Sequence, residues 1–160
     1  MTRWLSSFAL LTVGGLVAPD AKEPQAFRHR GRVVCLAEEM NRQYNASLQP
    51  VHDHVLGFRV DDKTTVGELR YYTLLRTEQS EALFVDKRFH KHTLVLYGRT
   101  FPSSGLLEVS GWQWIHDGKL YDVYYWCETC SIRGVDPGDC ACCQAPVELR
   151  EKLLSNVKTP

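Results

Sequence analysis

The 160-residue chain lacks an excess of either charge: 19 Lys and Arg stand against 19 Asp and Glu, for a formal net charge of zero. A dedicated nucleic-acid binder draws much of its affinity from surplus Lys and Arg that neutralise phosphates, and an anionic membrane surface attracts proteins in the same way. Neither partner is therefore expected. Low-complexity composition is missing too. With 44% hydrophobic and 24% charged residues, the chain has what a packed core requires. No nucleophile elbow, HExxH pair or phosphate-cradling glycine-rich loop occurs. No complete catalytic set emerges, and a noncatalytic protein is expected.

A hydrophobic run long enough to cross a bilayer is also absent. The longest apolar stretch, Trp4 to Ala18, follows Arg3 and has the length and flanks of an export signal. Residues 1–21 are read as a signal peptide, with a cut after Ala21 favoured over one after Ala18. No Cys follows the run, so nothing argues for a lipid anchor. The mature chain is expected to be periplasmic or secreted, without a stable membrane span, and it keeps all six Cys.

Residues 22–30 read as a polar lead-in that ends in the basic Arg28 His29 Arg30. Beyond it, β-like runs recur at Val33–Leu36, Val55–Val60, Arg70–Leu75 and Thr93–Arg99. Short helices fit Ala37–Tyr44 and Thr77–Phe84, the second capped by Thr77. Asp117 Gly118, set between two more β-like runs, predicts a two-residue hairpin loop with Trp114 opposite Tyr121 and Trp112 opposite Val123. Trp112, Trp114, Tyr121, Val123 and Tyr125 would then share a core-facing side, leaving Gln113 and Asp122 on a partly covered one. The expected fold is mainly β: a small antiparallel barrel with one or two short helices.

Three segments carry a resemblance: Gly31 Arg32 Val33 Val34, then Tyr72 Thr73 Leu74 Leu75, then Leu94 Val95 Leu96 Tyr97 Gly98 Arg99 followed by the hairpin. Through them, residues 31–126 resemble bacterial exported OB-fold domains. The resemblance implies a rigid β-barrel platform for a protein or small ligand, since OB folds commonly bind oligonucleotides or oligosaccharides. Zero net charge and the export signal weigh against the nucleic-acid version.

Five of the six Cys lie within residues 127–143. Cys127, Cys130, Cys140 and Cys143 form two CxxC pairs, the pattern in which two tight knuckles close a tetrahedral thiolate site. Pro137 Gly138 can turn the second pair back toward the first. Residues 127–150 resemble zinc-ribbon and rubredoxin-like knuckles, which implies a bound Zn2+; a single iron takes the same four ligands. Two features depart from the pattern. Gln144 stands where such knuckles carry Gly, and Cys142 is an extra thiol inside the second pair. The segment has few aliphatic residues, and metal would order it, because structural zinc contributes roughly 10–16 kcal/mol in small fingers. Residues 151–160 read as a tail.

Other chemistries stay open at this level. An exported chain meets an oxidising compartment, where the same Cys could form disulfides, and Cys35 with Cys142 would pair the two thiols left over. A thiol-redox or metal-handling protein would use Cys127 and Cys130 together with Cys140, Cys142 and Cys143. Trp126 Cys127 Glu128 Thr129 Cys130 looks like the WCxxC of thioredoxins, but a Ser131–Gly138 loop follows instead of the helix that would activate the thiol. His follows neither Cys130 nor Cys143, which excludes covalent haem attachment. The pairs His52/His54 and His90/His92 are lesser ligand candidates, and Cys35, in an apolar strand, is expected to be a buried small hydrophobe.

Overall fold

A computed structural model describes residues 23–45, 54–61 and 70–156. The expected signal peptide and His52 lie outside the described residues.

The first strand, β1, runs over Gln25–Cys35, so the segment expected as a polar lead-in is already sheet. It serves two neighbours in succession. Residues Gln25–Gly31 pair with β4 (Thr93–Thr100), and residues Gly31–Cys35 pair with β2 (Leu56–Val60). Gly31 belongs to both ladders, facing Val60 on one side and Leu94 on the other. A Cβ there would come within 2.1 Å of the Arg59 carbonyl oxygen, so glycine is what allows the strand to change partners.

β2 pairs antiparallel with β3 (Tyr71–Leu74), and β4 with β5 (Leu106–His116). β3 then meets β5 in parallel, at Thr73↔Leu106 and Leu74↔Leu107, fixed by Thr73 N–H to Gly105 O at 2.8 Å and Leu75 N–H to Leu107 O at 2.9 Å. The strands β1-β2-β3-β5-β4 thus close a five-stranded ring within an eight-stranded sheet. Phe58, Leu94, Leu96 and Leu107 fill it and are wholly buried, and Phe27 meets the Tyr72 ring edge-on at 5.0 Å.

Two helices flank the ring. α1 (Leu36–Tyr44) ends on Asn45 in the left-handed conformation, and its Glu39 is buried against the ring. Arg59 Nη1 and the Tyr71 hydroxyl donate to Glu39 Oε1 at 3.0 and 3.2 Å, and Arg42 pairs with the other oxygen. Burial works to raise the Glu39 pKa, but these partners outweigh it and hold the carboxyl below its usual range. Between β3 and β4, a 3₁₀ turn (Glu78–Ser80) leads into α2 (Glu81–Val85), followed by a second 3₁₀ turn (Phe89–Lys91). Thr77 opens the first turn as expected, and buried Ser80 accepts the Thr77 N–H at 2.8 Å while donating to Leu75 O at 2.7 Å. No helix among the described residues is long and apolar enough to cross a membrane.

The Asp117 Gly118 hairpin joins β5 to β6 (Lys119–Cys127), with both loop residues at positive φ (48° and 69°) and His116 facing Lys119. Trp114 lies opposite Tyr121, as the loop predicts. The ladder ends at Gln113↔Asp122, so Trp112 and Val123 are not ladder partners, although all five expected residues contribute to the core side. Burying side chains as large as Trp114 and Tyr125 is worth about 4–6 kcal/mol each in transfer free energy before ordering costs.

The strand into Cys127 is not the last one, contrary to expectation. β7 (Ile132–Gly134) pairs with its end at Tyr125↔Gly134 and Cys127↔Ile132. β8 (Glu148–Asn156) pairs with β6 from Lys119 to Trp126, where a tail was expected from residue 151. The reason is the open edge of β6, whose N–H and C=O groups need partners along its whole length.

Candidate metal centre

β6 delivers Cys127 to the end of the sheet, where the chain turns at once and returns as β7, leaving Cys130 in the turn. Ser131, the next residue, adopts φ 54°. The second knuckle is held by its own backbone. Cys140 N–H donates to Ala145 O at 2.8 Å, Gln144 N–H to Cys140 O at 2.9 Å, and Val147 N–H to Gly138 O at 3.0 Å. Gln144 adopts φ 59°, the conformation that the glycine of such knuckles serves, and its Nε2 donates back to Cys140 O at 3.3 Å. The departure at Gln144 therefore changes the residue but not the turn.

These turns bring Cys127, Cys130, Cys140 and Cys143 together, with all four Sγ atoms within 4.8 Å of one another. Cys127 and Cys143 Sγ are 3.4 Å apart, far beyond the roughly 2.05 Å of a disulfide. Tetrahedral zinc, with Zn–S near 2.3 Å, requires sulfurs about 3.8 Å apart. The donor set fits such an ion. The first Cys of each pair is buried, Cys127 at 1% exposure and Cys140 at 3%, so the site is closed on its inner side.

The four thiols could hold a cation. The N–H groups of Cys143 and Cys142 bond the Cys140 sulfur and draw its pKa down to about 7. The neighbouring Cys143 and Cys142 thiols push Cys130 the other way. Cys140 forms a thiolate readily, while hydrogen bonding from its neighbours keeps Cys130 protonated. A divalent ion makes four thiolates compatible.

Side chains brace the ribbon from outside. Arg133 of β7 stacks over the Tyr124 ring at 3.7 Å and reaches Asp122 at 3.0 Å, covering the side of β6 that the sequence left half-covered. Glu128, inside the first knuckle, accepts from Trp126 Nε1 at 3.0 Å and from Arg150 of β8 at 2.5 Å. Trp114 Nε1 on β5 donates to Glu151 of β8 at 2.8 Å. β8 is thus tied both to the knuckle and to the ring.

The other candidates separate. Cys142 is exposed and outside the four-sulfur group. Cys35 and Cys142 are not joined by a disulfide. His90 bonds the Leu83 carbonyl at 2.7 Å while His92 stacks on Trp114 at 4.3 Å, so that pair does not converge on an ion. Cys35 is half-exposed rather than buried, with His54 beside it at 3.3 Å. Spacing did not point to a buried polar pair behind β6: the Tyr125 hydroxyl donates to Asp86 Oδ2 at 2.6 Å, and Arg88 grips the same carboxylate.

Comparison with family models, with curated proteins and with solved structures finds no match. The centre rests on its own geometry.

Proposed function

We propose that the chain is an exported, noncatalytic binding protein in which an OB-like barrel presents a partner or ligand surface and a structural zinc ribbon stiffens one end. The closure of the four-Cys group carries this reading. Four sulfurs leave no coordination position for a substrate, the inner two are buried, and β8 returns from the knuckle to pair along the whole of β6. A site built into the sheet in this way suits holding structure more than handing over metal. The five-stranded ring with one parallel closing pair suits the partly open barrel of OB folds.

The alternative, thiol exchange or metal transfer through Cys127, Cys130 and the 140–143 cluster, makes an opposite prediction about access. Alkylation of the native, metal-loaded protein, read by peptide mass mapping, should label Cys142 rapidly and leave Cys127, Cys130, Cys140 and Cys143 unlabelled. Equal labelling of Cys127 or Cys130, with metal lost to a mild chelator, would overturn the structural reading in favour of exchange.

A further inference from the structure

The ring carries a second cluster of ligating side chains, remote in sequence from the four-Cys group. Cys35 is the last residue of β1 and the N-cap of α1, and Glu38 follows three residues later in the first helical turn. His54 arrives from the other side, just before β2, whose Leu56 pairs with Cys35. The bond from Leu36 N–H to Val55 O at 2.9 Å pins that approach against the helix start. Three backbone segments, each fixed by its own hydrogen bonds, therefore converge here. Sγ of Cys35, a carboxylate oxygen of Glu38 and a ring nitrogen of His54 lie within 4.8 Å of one another.

The separations suit a metal. His54 Nδ1 is 3.3 Å from Cys35 Sγ and 3.7 Å from Glu38 Oε1. Around a tetrahedral zinc these distances would be about 3.6 and 3.4 Å, given usual bond lengths of about 2.0–2.3 Å. A catalytic Cys–His–acid relay would instead need the carboxylate on the opposite ring nitrogen, and here both partners crowd Nδ1. The adjacent Glu39 is held by Arg59, Arg42 and Tyr71, so Glu38 is the carboxylate that faces the histidine. A thiolate, a carboxylate and a neutral imidazole together balance a divalent charge.

Among the described residues three protein ligands converge, and the cluster opens on a groove of about 800 Å³. That groove is lined by Arg32 and Lys87, by Arg42 and Arg59 paired with Glu39, and by Arg76 paired with Glu81. We infer that Cys35, Glu38 and His54 form an open site for a zinc-class divalent ion, whose fourth position takes a small anionic ligand from this groove. The three-ligand, open arrangement is the opposite of the closed four-Cys centre.

Cobalt titration of the purified full chain tests this, because tetrahedral cobalt reports thiolate ligation in its absorption spectrum. Two equivalents should bind, and one should be lost in Cys35→Ser, Glu38→Gln and His54→Ala, with the four-Cys spectrum unchanged. The Glu38 and His54 side chains are about two-thirds exposed, at 63% and 64%, so those variants keep the fold. Azide, as the small-anion probe, should shift only the bands that depend on Cys35. A single equivalent in the wild type that survives Cys35→Ser, a second equivalent that survives His54→Ala, or bands unmoved by azide would overturn the inference. The two sites fail separately: a protein that binds only the Cys35-dependent ion supports this site and refutes the four-Cys centre.

Discussion

Ser131 and Gln144 hold the same left-handed backbone conformation, φ 54° and 59°, each one residue after the second cysteine of its CxxC pair. The two knuckles are therefore alike in backbone, although neither carries glycine at that place. Side chains in this region cost about 1–2 kcal/mol relative to right-handed backbone. Ser131→Gly should accordingly raise stability by up to about 1 kcal/mol, after the extra freedom of the unfolded glycine is counted. Gln144→Gly should gain less, because it gives up the Nε2 bond to Cys140 O. Chelator-free thermal melts of the metal-loaded protein check both, and a destabilised Ser131→Gly variant would contradict the matched-knuckle account.

Removing one ligand should separate the ribbon from the ring. In Cys127→Ser or Cys140→Ser, the 127–147 segment should unfold while the ring persists, since Phe58, Leu94, Leu96 and Leu107 are wholly buried on the ring strands β2, β4 and β5. Near-ultraviolet circular dichroism should fall in part. Loss of the whole aromatic spectrum in either variant would refute a ring that stands without its metal.

Asp86 makes stability depend on acid pH. Burial works to raise its pKa, but hydrogen bonds from Arg88 and Tyr125 outweigh that and bring it from 3.8 down to about 2. Because the folded value lies below the unfolded one, the contribution is present above pH 3.8 and is lost as pH falls toward 2. Its size is about 2 kcal/mol. Tyr125→Phe should remove part of it and cost about 1–3 kcal/mol at neutral pH, with a smaller penalty near pH 2. Urea midpoints measured across pH 2–7 show whether the difference between wild type and variant shrinks in acid.

Two strand glycines should respond oppositely to a methyl group. At Gly31 the added Cβ would lie 2.1 Å from the Arg59 carbonyl oxygen, whereas at Gly111 it meets nothing within 4 Å. Gly31→Ala should destabilise by about 1–3 kcal/mol or more. Gly111→Ala should be neutral or stabilising by up to about 1 kcal/mol. Equal effects in denaturant titrations would mean that β1 does not change partners at Gly31.

Local chemistry made some elements readable. Asp117 Gly118 tolerates positive φ at both positions, so it set the turn and with it the Trp114↔Tyr121 register. The CxxC spacing placed four sulfurs in one loop system because each knuckle is closed by its own short-range backbone bonds. β8 was not readable, since Glu148–Asn156 has no strict alternation and leaves Leu153 and Leu154 exposed; it is a strand because β6 offers an edge. Cys35 misled for a similar reason. An apolar strand suggests burial, but the strand ends at that residue and the chain turns outward into α1. Glu39 and Asp86 depend on partners twenty or more residues away, Arg59 and Tyr125, which no local pattern reveals.

The central claim is that Cys127, Cys130, Cys140 and Cys143 hold one metal ion as four thiolates. A native mass spectrum of the purified protein tests it directly, when run on wild type beside Cys35→Ser so that the two sites are counted separately. The account predicts that Cys35→Ser retains one zinc or iron and has no mass lost to disulfides. A metal-free Cys35→Ser protein, lighter by the hydrogens lost in disulfide formation, would contradict it.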